Sequence, residues 1–282
     1  MDAREEIPQI SVLCVVFNKA VGESATLSSL LRLPSEWRSR IELIVRDNST
    51  SSRIEASELS IGGFEVVVLD HDGVNRPLGE VYRRFAERAR GDIVLFFDDD
   101  TEADIGYIAE AVKILEKGRN PELKVVCVPR IFDQSGRLFS PARQRVFRGK
   151  PIASLPAGRY SGLIAVMSGL ATTKRHLKRI GSEGFCVKTP LYGVDTMFMC
   201  ANHAVGGLTA VAETSLTHRL SRDVYQGILD HFRRTWLEAI GIWWTVATYQ
   251  RRWLWVAPLY ILYFLGRRTV RAWCMSRSHH AI

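Results

Sequence analysis

Ile10-Ser-Val-Leu-Cys-Val-Val-Phe17 is apolar at almost every position, too continuous a run for a strand with one wet face. Ile41-Glu-Leu-Ile-Val45, Phe64-Glu-Val-Val-Val-Leu69 and Ile93-Val-Leu-Phe-Phe97 repeat the pattern. Short runs rich in β-branched and aromatic residues suit strands buried on both faces of a parallel sheet. Between them the period lengthens to that of a helix, from about Ser24 to Leu33, where Pro34 stops it, and from about Gly79 to Ala89. A further helix follows the fourth strand, with Ile105, Ile108, Val112 and Leu115 on one face. This alternation predicts an α/β fold: a Rossmann-like, mostly parallel, doubly wound sheet with helices on both faces.

Beyond residue 120 the pattern loosens. Lys124 to Val128 reads as a strand, Pro129 to Tyr160 as hairpins and loops, and Ala210 to Glu213 with Ser215 to Arg219 as closing strands. After His218 the pattern turns amphipathic and aromatic. Trp236, Ile240, Trp243 and Ala247 share a helical face, and Trp253 to Leu265 is an apolar run bracketed by Arg251-Arg252 and Arg267-Arg268. About 13 residues span only ~20 Å as a helix, short of the ~30 Å hydrocarbon core. Trp and Tyr favour the headgroup layer and Arg is drawn to anionic lipid, so a pair of C-terminal amphipathic helices on a membrane surface is expected, the second kinked at Pro258; packing on the body or on another copy of the chain is the alternative.

Charge sharpens that boundary. The 282-residue chain carries a net charge of +8, and from Arg219 onward ten Arg oppose only Asp223, Asp230 and Glu238, which gives +7 of it. Six of the seven Trp lie there too. A globular body over 1–222 and a basic aromatic tail over 223–282 are the expected domains. Hydrophobic content of 46% excludes global disorder. Five widely spaced cysteines form no zinc or redox pair, and the Met-Asp-Ala-Arg-Glu-Glu start has no basic-then-apolar leader, so a cytoplasmic setting is expected, peripheral on the inner face of the cytoplasmic membrane.

The candidate chemistry sits where the fourth strand ends. Asp98-Asp99-Asp100 cannot stay unpaired inside a sheet, so they emerge at its carboxyl edge, where open α/β sheets bind ligands. Alternate residues of an extended segment point the same way, so Asp98 and Asp100 can face one divalent cation. A capping box from Thr101 to Asp104 is the plainer use of part of this cluster. The second strand ends in Asp47-Asn48-Ser49-Thr50, a ligand-loop position at which an Asp also serves as an ordinary Asx cap.

Taken together, Ser11 to Ala20, Glu42 to Thr50 and Gly91 to Glu102 resemble the three opening motifs of family 2 glycosyltransferases, with general similarity to bacterial O-antigen rhamnosyltransferases. That resemblance implies the GT-A fold, with a nucleotide-sugar half over about 8–104 and an acceptor half over about 105–222. It also implies inverting transfer from a UDP- or dTDP-linked sugar to a hydroxyl of a glycan or lipid-linked glycan. By the same resemblance Asp47 binds the nucleotide base, with Asn18, Asp98 and Asp99 on the donor side. Asp98-x-Asp100 is the DxD element for Mg²⁺ or Mn²⁺, and His218 is an auxiliary ligand. Leu163 to Gly169 resembles the family's strand ending in Ser-Gly, with Ser168-Gly169 bordering the acceptor, and Leu191-Tyr-Gly-Val-Asp195 places the general base at Asp195. Two departures stand out: Val81-Tyr82-Arg83 replaces the family's Ala-Arg-Asn, and Val194 replaces a Glu before the base.

Two rival readings carry less. Nucleotidyl transfer calls for a glycine-rich phosphate loop, and Asn18-Lys-Ala-Val-Gly22 is a poor one. A degenerate body with a nucleic-acid-binding tail would interleave charge among its Trp residues, whereas here they lie in apolar runs, so no nucleic-acid partner is expected.

Overall fold

The computed structural model describes residues 10–60, 62–116, 124–133, 135–189, 191–217 and 228–279. The first apolar run forms β1 (Ile10–Val16), buried throughout. Ser24 Oγ accepts the Leu27 amide at 3.1 Å and so caps α1 (Ala25–Leu31), which Pro34 separates from the short α2 (Ser35–Arg38). Strands and helices then alternate as the apolar pattern predicts: β2 (Ile41–Asp47), α3 (Ala56–Ser60), β3 (Val66–Asp70), α4 (Leu78–Arg88), β4 (Ile93–Asp98) and α5 (Ile105–Glu116). The second half holds β5 (Val125–Phe132) and the small strands β6 (Leu138–Ser140), β7 (Ala142–Gln144), β8 (Gly149–Lys150), β9 (Gly158–Tyr160) and β10 (Leu163–Ile164). After these come β11 (Leu170–Thr173), α6 (Lys174–Ile180), α7 (Val194–Ala204) and β12 (Leu208–Thr217), and then α8 (Ile228–Tyr249) and α9 (Ala257–His279).

The main sheet runs β3-β2-β1-β4-β11-β5-β12-β9, with β6 on β5. β1 to β4 pair in parallel, and the chain steps outward from β1 to β3 before returning to the other flank of β1 for β4. Connections therefore diverge between the carboxyl ends of β1 and β4, which opens a crevice there. Alternate residues of β1 feed two cores. Val12, Cys14 and Val16 join Leu27, Leu30 and Tyr107 on one face, and Leu13 and Val15 join Phe85, Phe96 and Phe198 on the other.

Two expectations are corrected here. The predicted strand from Leu163 to Gly169 pairs only at β10, in a separate sheet with β7 and β8, and Ser168-Gly169 is instead a turn into β11. Gly169 sits at φ +80°, and a Cβ there would lie 2.7 Å from Pro129 Cγ, so the turn requires glycine. The turn reverses the chain, and β11 runs antiparallel to both β4 and β5. Pro258 does not kink its helix: it occupies the first turn of α9, where its missing N–H costs nothing.

The tail helices pack on the body. A Cβ on Gly241 of α8 would fall 2.5 Å from the Tyr192 carbonyl oxygen, an approach only glycine permits. Lys188 Nζ lies 4.3 Å over the Trp244 ring, and the Tyr249 hydroxyl donates to the Glu183 carbonyl at 3.2 Å. Arg268 pairs with Glu238 at 2.9 Å between α9 and α8, and Phe147 stacks on Tyr260 at 4.2 Å between the body and α9. Among the described residues no helix is long and apolar enough to cross a membrane.

Candidate active site

The carboxyl end of β4 is braced from four sides. The Asp98 amide donates to Ser168 Oγ at 3.2 Å, and the Ser168 hydroxyl donates to Thr101 Oγ1 at 2.8 Å. The Thr26 hydroxyl bridges the carbonyls of Asp98 and Thr101, and Ser24 Oγ donates to the Asp99 carbonyl at 3.2 Å. Asp104, not Thr101, caps α5, through the Tyr107 amide at 3.0 Å. The three preceding acids therefore lie outside the helix.

Each acid has its own setting. Asp99 turns toward β1, where Lys19 Nζ lies 2.6 Å from Oδ1 and the Phe17 amide donates to Oδ2 at 3.1 Å. Its carboxylate holds the loop after β1. Asp98 Oδ1 accepts the Tyr82 hydroxyl at 2.8 Å. Burial first, and then the charge of Asp100, push the Asp98 carboxyl up to about 7, while burial and the charge of Asp99 push Asp100 up to about 6. Such crowding is what a divalent cation relieves. One or two carboxylates completed by substrate phosphates is the usual way proteins hold Mg²⁺, so Asp98 and Asp100 fit the metal read from the sequence. Among the described residues no group of three His, Cys, Asp or Glu is arranged to hold a metal ion, and His218, the expected further ligand, lies outside them.

Asp47 ends β2 on the far side of β1, two strands along the sheet edge from β4, its side chain fully buried. Oδ1 accepts the Ser49 amide at 3.0 Å, which is the Asx turn; Oδ2 is buried and has no hydrogen-bond partner among the described residues. Burial raises its pKa, but the hydroxyls of Ser49 and Ser52 and the Ser49 amide prevail, and the carboxyl stays below its ordinary range. An ionised, buried acceptor with one free oxygen suits the N–H edge of a base. His71 Nδ1 stands 3.7 Å from that oxygen. Asn18, at φ 54°, donates its amide to Ser49 Oγ at 2.7 Å and presents an exposed side chain at the same mouth.

Asp195 lies in the first turn of α7, after Gly193 at φ 95°. Its charge acts, with those of Asp98 and Asp100, on the Tyr82 hydroxyl, which burial and these carboxylates hold well above the ordinary phenol range. The charge of the base read from the sequence thus reaches the same hydroxyl as those of the acidic strand end. Ser168 and Gly169, the expected border of the acceptor, form the turn into β11. Both are buried; the Ser168 hydroxyl braces the end of β4, and the Gly169 carbonyl accepts from Tyr107 of α5.

Sequence reasoning missed Tyr82 and Arg46. Arg46 is 2% exposed and pairs with Asp72 at 2.6 Å and Asp70 at 3.4 Å, while Asn48 accepts the Arg76 amide at 2.9 Å. Together they hold the β3–α4 loop over Asp47. An Arg beside an Asp at the end of an apolar strand was the available signal. Tyr82 occupies the departure from the family's Ala-Arg-Asn. Tyr82→Phe keeps the ring packing on Phe96 but removes one charge-assisted bond of about 1.5–3 kcal/mol, so kcat/KM for donor is expected to fall about tenfold or more, checked by donor-titrated kinetics.

Residues 11–179 match the family model described as "Glycosyl transferase family 2", a stretch that takes in Asp47 and the acidic strand end and stops before Asp195. No curated protein sequence matches the chain. Among similar solved structures, GalNAc-T7 with UDP, GalNAc and Mn²⁺ is 16% identical with a TM-score of 0.57, over 77% of this chain and 45% of that one. The mannosyltransferase PcManGT from Pyrobaculum calidifontis, in complex with GDP-Man and Mn²⁺, is 14% identical with a TM-score of 0.56, over 97% of this chain and 75% of that one. The 1–349 fragment of S. aureus TarS in complex with UDP is 14% identical with a TM-score of 0.50, over 83% of this chain and 65% of that one. The chain spans less than half the length of GalNAc-T7, and at these identities the likeness is one of fold, GT-A. With more than half of its residues matched by the family model, the chain belongs to glycosyl transferase family 2.

Proposed function

We propose that the protein transfers a sugar from a UDP- or dTDP-linked donor to a hydroxyl of a glycan or lipid-linked glycan, with inversion, in bacterial cell-surface polysaccharide synthesis at the inner face of the cytoplasmic membrane. The observation that carries this reading is the shared sheet edge: a buried Asp47 with one open oxygen beside a crowded Asp98-Asp100 pair. With β1 between them the two lie two strand spacings apart, about 10 Å, room for a nucleotide laid across the crevice. Among the similar solved structures GalNAc-T7 holds UDP and Mn²⁺, TarS holds UDP, and PcManGT holds GDP-Man and Mn²⁺, which supports a nucleotide sugar and a divalent cation here.

Asp47 accepts from the base, and the Arg46–Asp72 pair keeps the covering loop in place. Asp195 removes the acceptor hydroxyl proton as that oxygen attacks the anomeric carbon from the side opposite the diphosphate. A single displacement needs only one base and inverts the centre. Asp98 and Asp100 would hold the divalent metal, which supplies charge neutralisation for the departing diphosphate. Tyr82 fixes the Asp98 rotamer by donating to Oδ1.

Thermal melting against nucleotide diphosphates and nucleotide sugars, each with and without Mn²⁺, tests this reading. Ligand at about 100 Kd stabilises the native state by about 2.7 kcal/mol. A Mn²⁺-dependent rise with one pyrimidine diphosphate is expected, and no rise with any member of the panel would overturn the reading.

A further inference from the structure

We infer that the face formed by Trp255 and the first two turns of α9 is a docking surface for an anionic lipid bilayer. Trp255, Leu259, Leu262 and Tyr263 recur at helical spacing and are 78%, 66%, 67% and 60% exposed. The opposite side of the same helix is satisfied by protein: Ala257 is buried and Tyr260 stacks on Phe147. Four large side chains held outward beside a packed face form an apolar surface without a partner among the described residues.

Charge selects the occupant. Arg251 and Arg252 are exposed at one end of this face and Arg267 at the other. From residue 251 to the end the chain has six Arg and no acidic residue. A second copy would bring like charge against like, whereas phosphate headgroups are complementary to the arginines, and Trp and Tyr settle at headgroup depth. The surface also stands in a fixed relation to the candidate base. α9 is tied to α8 by Arg268–Glu238, and α8 meets the segment before α7 where Gly241 abuts Tyr192-Gly193. A carrier lipid in the bilayer would present its sugar hydroxyl at a set height before Asp195, a consequence that rests on the transferase reading; the docking itself does not.

The test is co-sedimentation of the full chain with vesicles of phosphatidylcholine alone or of phosphatidylcholine mixed with phosphatidylglycerol. Binding to the anionic vesicles only is expected, weakening as salt is raised. Arg251→Ala with Arg252→Ala should lower the partition coefficient about thirtyfold, from about 1 kcal/mol per arginine. Leu259→Glu with Leu262→Glu should abolish binding, and an unchanged melting temperature shows that this variant is folded. Equal binding to neutral vesicles, no binding to anionic ones, or a dimer that Leu259→Glu with Leu262→Glu dissolves would each overturn the inference. Donor-induced thermal shifts on the same samples separate the readings: vesicle binding without any donor shift would sink the transferase reading and leave the docking surface standing.

Discussion

Replacing Asp195 with Asn is expected to lower kcat by about 10²- to 10⁴-fold, the usual contribution of a positioned general base, while the donor-induced rise in melting temperature stays as in the wild type. The two readouts divide because the proposed roles divide. In the proposed mechanism Asp195, on α7, acts on the acceptor proton, whereas Asp47 at the end of β2 and Asp98 and Asp100 at the end of β4 would hold the donor. Asn is nearly isosteric and remains in the first turn of α7. The variant loses the interaction of a carboxylate with the helix N-terminus, about 0.3–1 kcal/mol, which by itself is too little to unfold the chain. Equal loss of turnover and of donor binding would show that Asp195 shapes the site rather than serving as its base.

Much of this arrangement is legible in the sequence because burial is written in apolar runs. β1, β2 and β4 are sealed on both faces, so their composition alone marks them, and a strand that ends in three acids must place them at an edge. Chain direction is not written that way. Nothing in the apolarity of Leu163 to Thr173 says that the chain reverses at Ser168-Gly169, because the reversal depends on the φ of Gly169 and its contact with Pro129. Tyr82 was hidden by its own amphipathicity. It shares the core face of α4 with Val81 and Phe85, and only the folded distance from its hydroxyl to Asp98 reveals the polar tip at work. The seat of α8 did leave a mark: Gly241 stands mid-helix, where glycine costs about 1 kcal/mol relative to Ala, and such an exception signals a close backbone approach.

Crowding of Asp98 and Asp100 gives the second large effect, with a definite sign in pH. Their carboxyls sit at about 7 and 6 in the folded chain, against about 4 when unfolded. Between those values the native state binds more protons than the unfolded state, so the pair's contribution to stability is present below about pH 4 and is lost as pH rises through 6 to 7. Metal competes with these protons. The rise in melting temperature caused by Mn²⁺ with a nucleotide diphosphate should therefore be small at pH 5 and full at pH 8. Asp100→Asn removes one of the crowded charges. It should raise the metal-free melting temperature at pH 8 by about 2–6 °C, since solvent at this half-buried group screens its shift to about 1–2 kcal/mol, and it should abolish most of the Mn²⁺ effect. A variant that gains stability as it loses the metal response marks a site whose native charge is set for a ligand rather than for the fold. Were Asp100→Asn less stable than the wild type at pH 8, or the Mn²⁺ shift the same at both pH values, the acids would be bracing β4 and the metal assignment would fail.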